Sequence, residues 1–363
     1  MSGYLNLRDI DWGMLVISLA ICAFGVIQIF SAAHGSPWQD AWWKQLVWIA
    51  AGLLLMWIAT SIDYHSLMNH VTALYLLSIG LLVLVLVAGK RAFGSTRWIP
   101  LAPGFHFQVS EFVKLVIILL VARFMTELQG DNLELRDLLK IFGLIVIPML
   151  LVVGEPDLGT ALTYLPILAI GALLGGLNWR YLAVIGILVV LVLPVGIHFL
   201  QPYQRARLVS FLDPDRDPKG TGYQVIQSKI AVGAGGMWGK GVSKGSQTQL
   251  RFLPVAHTDF IFSAFAEEHG FVGVIVVLAL YFMLLMQIVK NAQTAPDRAG
   301  MYICMGVAAL LLFHVLVNVG MVVGRMPVTG IPLPLMSAGG SSMLSIFLML
   351  GLVNNVRVRR FVN

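Results

Sequence analysis

The chain has 363 residues, 58% of them hydrophobic and only 12% charged, with a formal net charge of +6 and a mean hydropathy of +0.85. An ordinary soluble domain carries about 25% charged residues. The polar side chains are too few to coat a soluble globule of this size, which excludes a cytosolic enzyme, a disordered scaffold and a disulfide-stapled secreted module and leaves a multi-pass membrane protein.

About 20 apolar residues are needed for a helix to cross the bilayer core. In chain order, that rule predicts spans at 13–33, 46–62, 71–89, 111–125, 141–153, 158–177, 181–200, 270–290, 299–322 and 342–357. The first run is too long for a signal-peptide core and is read as a retained span. Cys22 and Cys304 lie inside apolar runs and read as small buried hydrophobes. The fourth run carries Glu111, Lys114 and Arg123, the fifth is short, and the last is barely long enough. The expected fold is all-α and integral to the membrane, with about ten transmembrane helices. A single polytopic domain covers 1–363, and one large loop, 201–259, separates spans seven and eight.

Short-loop basic residues set the orientation. With the N-terminus inside, nine Lys and Arg fall on inner segments and five on outer short loops, which favours cytoplasmic termini. The loops at 34–45, 90–110, 154–157, 201–259 and 323–341 then share the outer face, and they hold most of the unusual motifs. The inner stretch 126–140 reads as a mixed-charge surface helix. Residues 201–258 carry eight basic against three acidic residues, and 90–110 adds three basic residues and no acid. A surface this basic suits either an anionic partner, such as a phosphate or acidic lipid, or a solvated face beside lipid headgroups.

Several polar residues need a reason to be where they are. Glu111 and Lys114, three apart, share a helix face and can pair, either as a helix anchor or as a substrate contact. Glu155 and Asp157, in GEPDLGT, need basic partners if buried. The run GAGGMWGKG at 233–241 fails as a phosphate loop: Ala234 stands where the first glycine belongs and Gly241 where a hydroxyl belongs. It reads as a flexible connector or a backbone anion site. The apolar run 260–290 is too long for one upright crossing, so a break is expected near His269-Gly270, with a short interfacial helix before it. Asp259 stands at the start of that helix, as a general base toward a hydroxyl or as a simple helix cap. Glu267 and Glu268 at membrane depth need partners, and structural pairing is the more usual role. In TGIPLPLMSAGGSSML, Pro332 and Pro334 forbid a regular helix, so this segment is expected to be broken or re-entrant and to line a cavity.

Six stretches in order are similar to the SEDS family of bacterial shape, elongation, division and sporulation proteins: RWIPL at 97–101, QVSEFVK at 108–114, EPDLGT at 155–160, YQVIQSKIAVGAGGMWGKG at 223–241, LPVAHTDFIFSAFAEEHG at 253–270 and PLPLMSAGGSS at 332–342. QSKIAVGAGG and QTQLRFLP resemble the RodA branch more than the FtsW branch. The resemblance covers most of the chain. It departs at Val109, Val255, His269 and Ala338, where the family usually has proline, glutamate, leucine and an aromatic residue.

The resemblance implies a peptidoglycan glycosyltransferase, polymerising lipid II into glycan strands at the outer face of the bacterial cytoplasmic (inner) membrane during elongation. It implies a class B penicillin-binding protein as transpeptidase partner, and lipid II, the nascent glycan strand and membrane lipids as the other partners, with no nucleic acid. It places the catalytic carboxylate at Asp259 and family-matched positions at Arg97, Glu111, Lys114, Glu155, Asp157, Lys229 and Lys240; Ser337 joins these as a substrate-binding candidate. A divalent metal, Mg or Mn, is associated with the family, but the sequence shows no ligands for it. The rival reading is a flippase or transporter of the lipid-linked precursor, which should show comparable polar sites on both faces. A non-catalytic scaffold is a third.

Overall fold

The computed structural model describes residues 9–92, 95–102, 105–128, 133–178, 180, 181, 183, 184, 187, 201–216 and 220–360. Nine of the ten predicted runs correspond to helices there, and 181–200 lies almost wholly outside the described residues. Among the described residues the long helices are α1 (Trp12–Ala33), α2 (Ala41–Ser61), α4 (Val71–Ala88), α5 (Val109–Glu127), α6 (Leu135–Gly154), α12 (Ile261–Gln293), α13 (Arg298–Val322) and α14 (Gly340–Arg359), joined by the short pair α7 (Leu158–Leu162) and α8 (Tyr164–Leu174). The short helix α3 (Tyr64–Asn69) links α2 and α4. Seven of these are long and apolar enough to cross a membrane; α5, with its internal charges, is not among them. The chain is a multi-pass membrane protein.

α13 and α14 are the most enclosed spans. α14 packs along α2, and α13 packs between α5, α8 and α12. The helix ends on the side of both termini are tied by polar side chains. Asp11 caps α1 through the Met14 N–H at 3.1 Å and pairs with Arg357 at 3.2 Å. The Asn355 amide donates to the carbonyls of Ala59 and Thr60 at 3.0 and 2.8 Å. His65 bridges Asp63 at 3.0 Å and Asp297 at 2.7 Å. Residues 135–140 of the expected surface helix form the charged first turns of α6.

Two loops are more ordered than the sequence reading expected. The 90–110 stretch folds into an antiparallel meander of β1 (Lys90–Ala92), β2 (Ser95–Ala102) and β3 (Phe105–Phe107), with Lys90 opposite Trp98 and Ile99 opposite Phe107. Its aromatic and β-branched residues suit a pleated surface. The 201–259 loop carries α9 (Pro202–Leu212), a 3₁₀ turn (Pro214–Arg216), α10 (Thr221–Ala234) and the single turn α11 (Ser246–Gln249). α9 starts with a capping box between Gln201 and Gln204 and proline in its first turn. α10 is packed on α12, and its fully buried Ser228 hydroxyl donates to the Val322 carbonyl at 2.7 Å.

The expected break in α12 is at Gly270, whose φ of 66° and ψ of −168° no helix accommodates. It separates a short helix, 261–269, from a full-length span. The segment 323–339 is irregular, exposed at Val323, Arg325 and Met326 and largely buried over 331–337, with Leu335 in the left-handed region at φ 63° and Met336 fully enclosed.

Candidate functional site

A cavity of about 1030 Å³ lies where the five loops assigned to one face converge. Trp38, Arg97, Asp157, Arg207, Asp259 and Gly330 bring one wall residue from each of these loops and a second from 201–259. The proline-broken segment supplies Pro327–Gly330, Pro332 and Ala338–Ser342, so it lines the cavity, as irregular backbone at membrane depth must.

Asp259 is half-buried on this wall. Its backbone is held from two sides: Asn318 donates to its carbonyl at 3.1 Å, and the Ser337 hydroxyl donates to the Thr258 carbonyl at 2.8 Å. Burial pushes the carboxyl above its ordinary range. The Arg207 and Arg97 guanidinium groups and the Thr258 hydroxyl oppose that, while Asp157 adds to it. His257, two residues earlier, stacks on Trp38 with ring centroids 5.5 Å apart, and burial lowers its pKa.

Across the cavity, β2 presents Arg97, whose Nη1 lies 3.2 Å from Asp157 Oδ2. Asp157 also caps α7 through the Thr160 N–H at 3.1 Å and accepts from the Thr160 hydroxyl and the Gln108 amide, both at 2.9 Å. Behind it Glu155 is fully buried, and both its oxygens lack a hydrogen-bond partner. Burial, reinforced by Asp157 and opposed by Arg97, raises its pKa to about 8. Glu111 lines the cavity and pairs with Lys114 at 2.6 Å; both are buried, and Lys114 Nζ lies 3.4 Å from His314 Nε2.

The structure therefore brings Asp259, Arg97, Glu111 and Asp157 to one cavity, with Lys114 and Glu155 behind its wall. It does not bring Lys229, Lys240 or Ser337 to the surface of the cavity. Lys229 is exposed on α10, with its stem over Gly324. Lys240 pairs with Glu267 at 2.9 Å, and Ser337 acts on the backbone beside Asp259. Glu267 also accepts from the backbone N–H of Gln247 and Thr248 and from the Thr248 hydroxyl, while Glu268 accepts from Ser31 and Gln28. Both glutamates are structural staples.

The glycine run is neither a slack connector nor an anion loop. The N–H groups of Lys240 and Gly241 donate to the carbonyls of Glu267 and Glu268 at 3.0 and 2.9 Å. The carbonyls of Gly236 and Met237 accept from Phe271 and Val272 at 2.9 and 3.1 Å. The run thus replaces the helix bonds broken at Gly270.

Sequence reasoning did not single out Arg207, Asn318 or Gln108. Asn318 was legible as a polar residue inside an apolar span. Arg207 was one of eight loop cations, with nothing local to distinguish it. Among the described residues no three His, Cys, Asp or Glu side chains come together as a metal-ligand group. Asp157 is already engaged by Arg97, Gln108 and Thr160.

The family model for FtsW, RodA and SpoVE, described as "Cell cycle protein", matches residues 12–361. The chain is 39% identical over 359 residues to the peptidoglycan glycosyltransferase MrdB of Escherichia coli K12, covering 97% of this chain and 94% of that one. It is similar to a chain of a structure described as "Structural coordination of polymerization and crosslinking by a peptidoglycan synthase complex", with TM-score 0.84, 36% identity and coverage of 98% and 99%. The rod-shape-determining protein RodA of Thermus thermophilus superposes with TM-score 0.72 at 30% identity, covering 97% of this chain and 98% of that one.

Proposed function

The chain belongs to the FtsW/RodA/SpoVE family and is a peptidoglycan glycosyltransferase, and from that premise we propose that it polymerises lipid II at the cavity, with Asp259 as the general base. The observation that carries this is the placement of Asp259 on one cavity wall within electrostatic reach of Arg97 and Arg207.

The acceptor's sugar hydroxyl attacks the anomeric carbon of the donor. Asp259 takes the hydroxyl proton, a new glycosidic bond forms, and the bond to the lipid diphosphate breaks with its electron pair going to the leaving oxygen. Arg97 and Arg207 stabilise the charge that develops there. One-step displacement inverts the anomeric centre. In this reading the base is Asp259 and the cations on the chain itself are Arg97 and Arg207.

In this reading the single membrane domain, 1–363, sits in the bacterial cytoplasmic membrane with both termini inside. Its 201–259 loop and the cavity face outward. A class B penicillin-binding protein is the transpeptidase partner; the similarity to a chain of a complex that couples polymerisation with crosslinking supports this. The flippase reading is less well supported, because the similar chain of known activity, MrdB of Escherichia coli, is a glycosyltransferase.

The test is polymerisation of purified lipid II by the purified protein. Asp259→Asn is expected to lose about 10²–10⁴-fold in kcat while still binding substrate. A variant polymerising at the wild-type rate sinks the assignment. Because burial raises the Asp259 pKa and the base must be ionised, kcat/KM is expected to rise with pH through an acid limb above the ordinary carboxylate range. A flat profile from pH 4 upward would contradict this.

A further inference from the structure

Glu155 has no role in the chemistry above, yet its position is unusual. Among the described residues it is the carboxylate whose two oxygens are both buried and without a donor. Its neighbours in sequence, Pro156 and Asp157, line the cavity, so it sits directly behind the wall that carries Arg97. Arg97 Nε is also buried and without a hydrogen-bond partner, while its Nη1 is held by Asp157. The groups that face Glu155 are Asp157 from its own turn, Arg97 from β2 and the Tyr164 phenol from α8. Tyr164 itself faces Glu111 on α5 and donates to the Ser110 carbonyl at 3.1 Å, so it offers Glu155 no proton. Asp259 lines the same cavity within electrostatic reach of Arg97 and Asp157.

The charges around Arg97 decide what the cavity can bind. With Glu155 neutral, the guanidinium faces one negative partner, Asp157. With Glu155 ionised, two carboxylates share one guanidinium, and Asp259 adds a third negative group to a cavity that must accept an anion. A buried carboxylate with no donors and a like charge beside it favours its neutral form.

We propose that Glu155 is a positioning residue held as a neutral carboxylic acid, and that its ionisation withdraws Arg97 from a membrane-anchored diphosphate and weakens binding of that ligand. This rests on the reading of Arg97 as the diphosphate's cation. Glu155 touches no substrate; it acts through the charge left on Arg97.

The expected signature is a split between KM and kcat. As pH rises through the Glu155 pKa near 8, the ionised form accumulates. KM for lipid II is then expected to rise, by up to about tenfold per pH unit once the group is mostly ionised, with kcat unchanged. Glu155→Gln, isosteric with the neutral acid, is expected to hold KM constant from pH 7 to 9.5. A merely structural role would move neither profile.

Binding is measured in parallel by titrating undecaprenyl diphosphate into wild-type and Glu155→Gln protein in nanodiscs over the same range. Above about pH 8 the ligand's own ionisation is essentially complete, so in that part of the range the wild-type dissociation constant is expected to weaken and that of the variant to stay flat. A pH-independent wild-type constant overturns the proposal, even should the variant fail to fold, as does a variant with the wild-type alkaline rise. Wild type that binds with the expected pH dependence but never polymerises lipid II would overturn the glycosyltransferase mechanism and leave the Glu155 proposal standing.

Discussion

Lys114 is 1% exposed inside a membrane helix, and its partner Glu111 is 3% exposed. Two charges are kept there only because each neutralises the other. Truncating one strands its partner, at a cost of about 3–5 kcal/mol, whereas replacing both removes the desolvation penalty as well. Lys114→Met is therefore expected to lower the melting temperature in detergent strongly, and Glu111→Gln with Lys114→Met to recover most of that loss. If the single and double variants melt alike, the pair does not hold the helix. The i, i+3 spacing made this pair legible in the sequence, and the apolar flanks of Asp259 made it stand out. Asn318 and Arg207 were not legible as site residues, because what joins them to Asp259 is contact across 52 to 59 positions of chain, with no local spacing to reveal it. Lys240, one of the family-matched positions, meets the Glu267 carboxylate, a pairing across 27 positions that its glycine-rich setting does not reveal.

Among the elements, the kinked helix α12 was readable from length alone, since its apolar run exceeds one crossing. What mends the kink was not readable. Gly239 and Gly270 meet back to back; a Cβ on Gly270 would stand 2.2 Å from the Gly239 nitrogen, and the residue's φ of 66° disfavours any L side chain. Gly270→Ala is expected to break the bonds between 236–241 and 267–272. The positive-φ, extended-ψ backbone alone costs an alanine roughly 1–3 kcal/mol. Limited proteolysis should then cut within 237–255, where wild type resists; an uncut variant would show that the run does not depend on this contact. The β1–β3 meander escaped sequence analysis because its strands are only three to eight residues long and broken by Pro100 and two bulged registers.

Among the described residues, polar ties close the end that carries both termini and a cavity hollows the other. At the closed end, Asp63 and Asp297 converge on His65, and Arg359 reaches Asp63 at 3.5 Å. Both carboxyls have pKa values below the ordinary range: hydrogen bonds and the nearby cations outweigh partial burial. A lowered folded-state pKa means that the stabilisation is fully present above about pH 4, the unfolded aspartate value, and is lost as pH falls through the folded values. His65→Ala is expected to reduce the drop in melting temperature between pH 6 and pH 3; an unchanged drop would remove His65 from the tie. At the hollow end, the stretch 242–258 is fixed at both ends, by the glycine run upstream and by the Asn318 and Ser337 bonds beside Asp259 downstream. It has little slack. A load on the exposed Phe252 is therefore passed along a short strap to Asp259, the proposed base, so a protein resting on this rim is placed to move that carboxylate without reaching into the cavity.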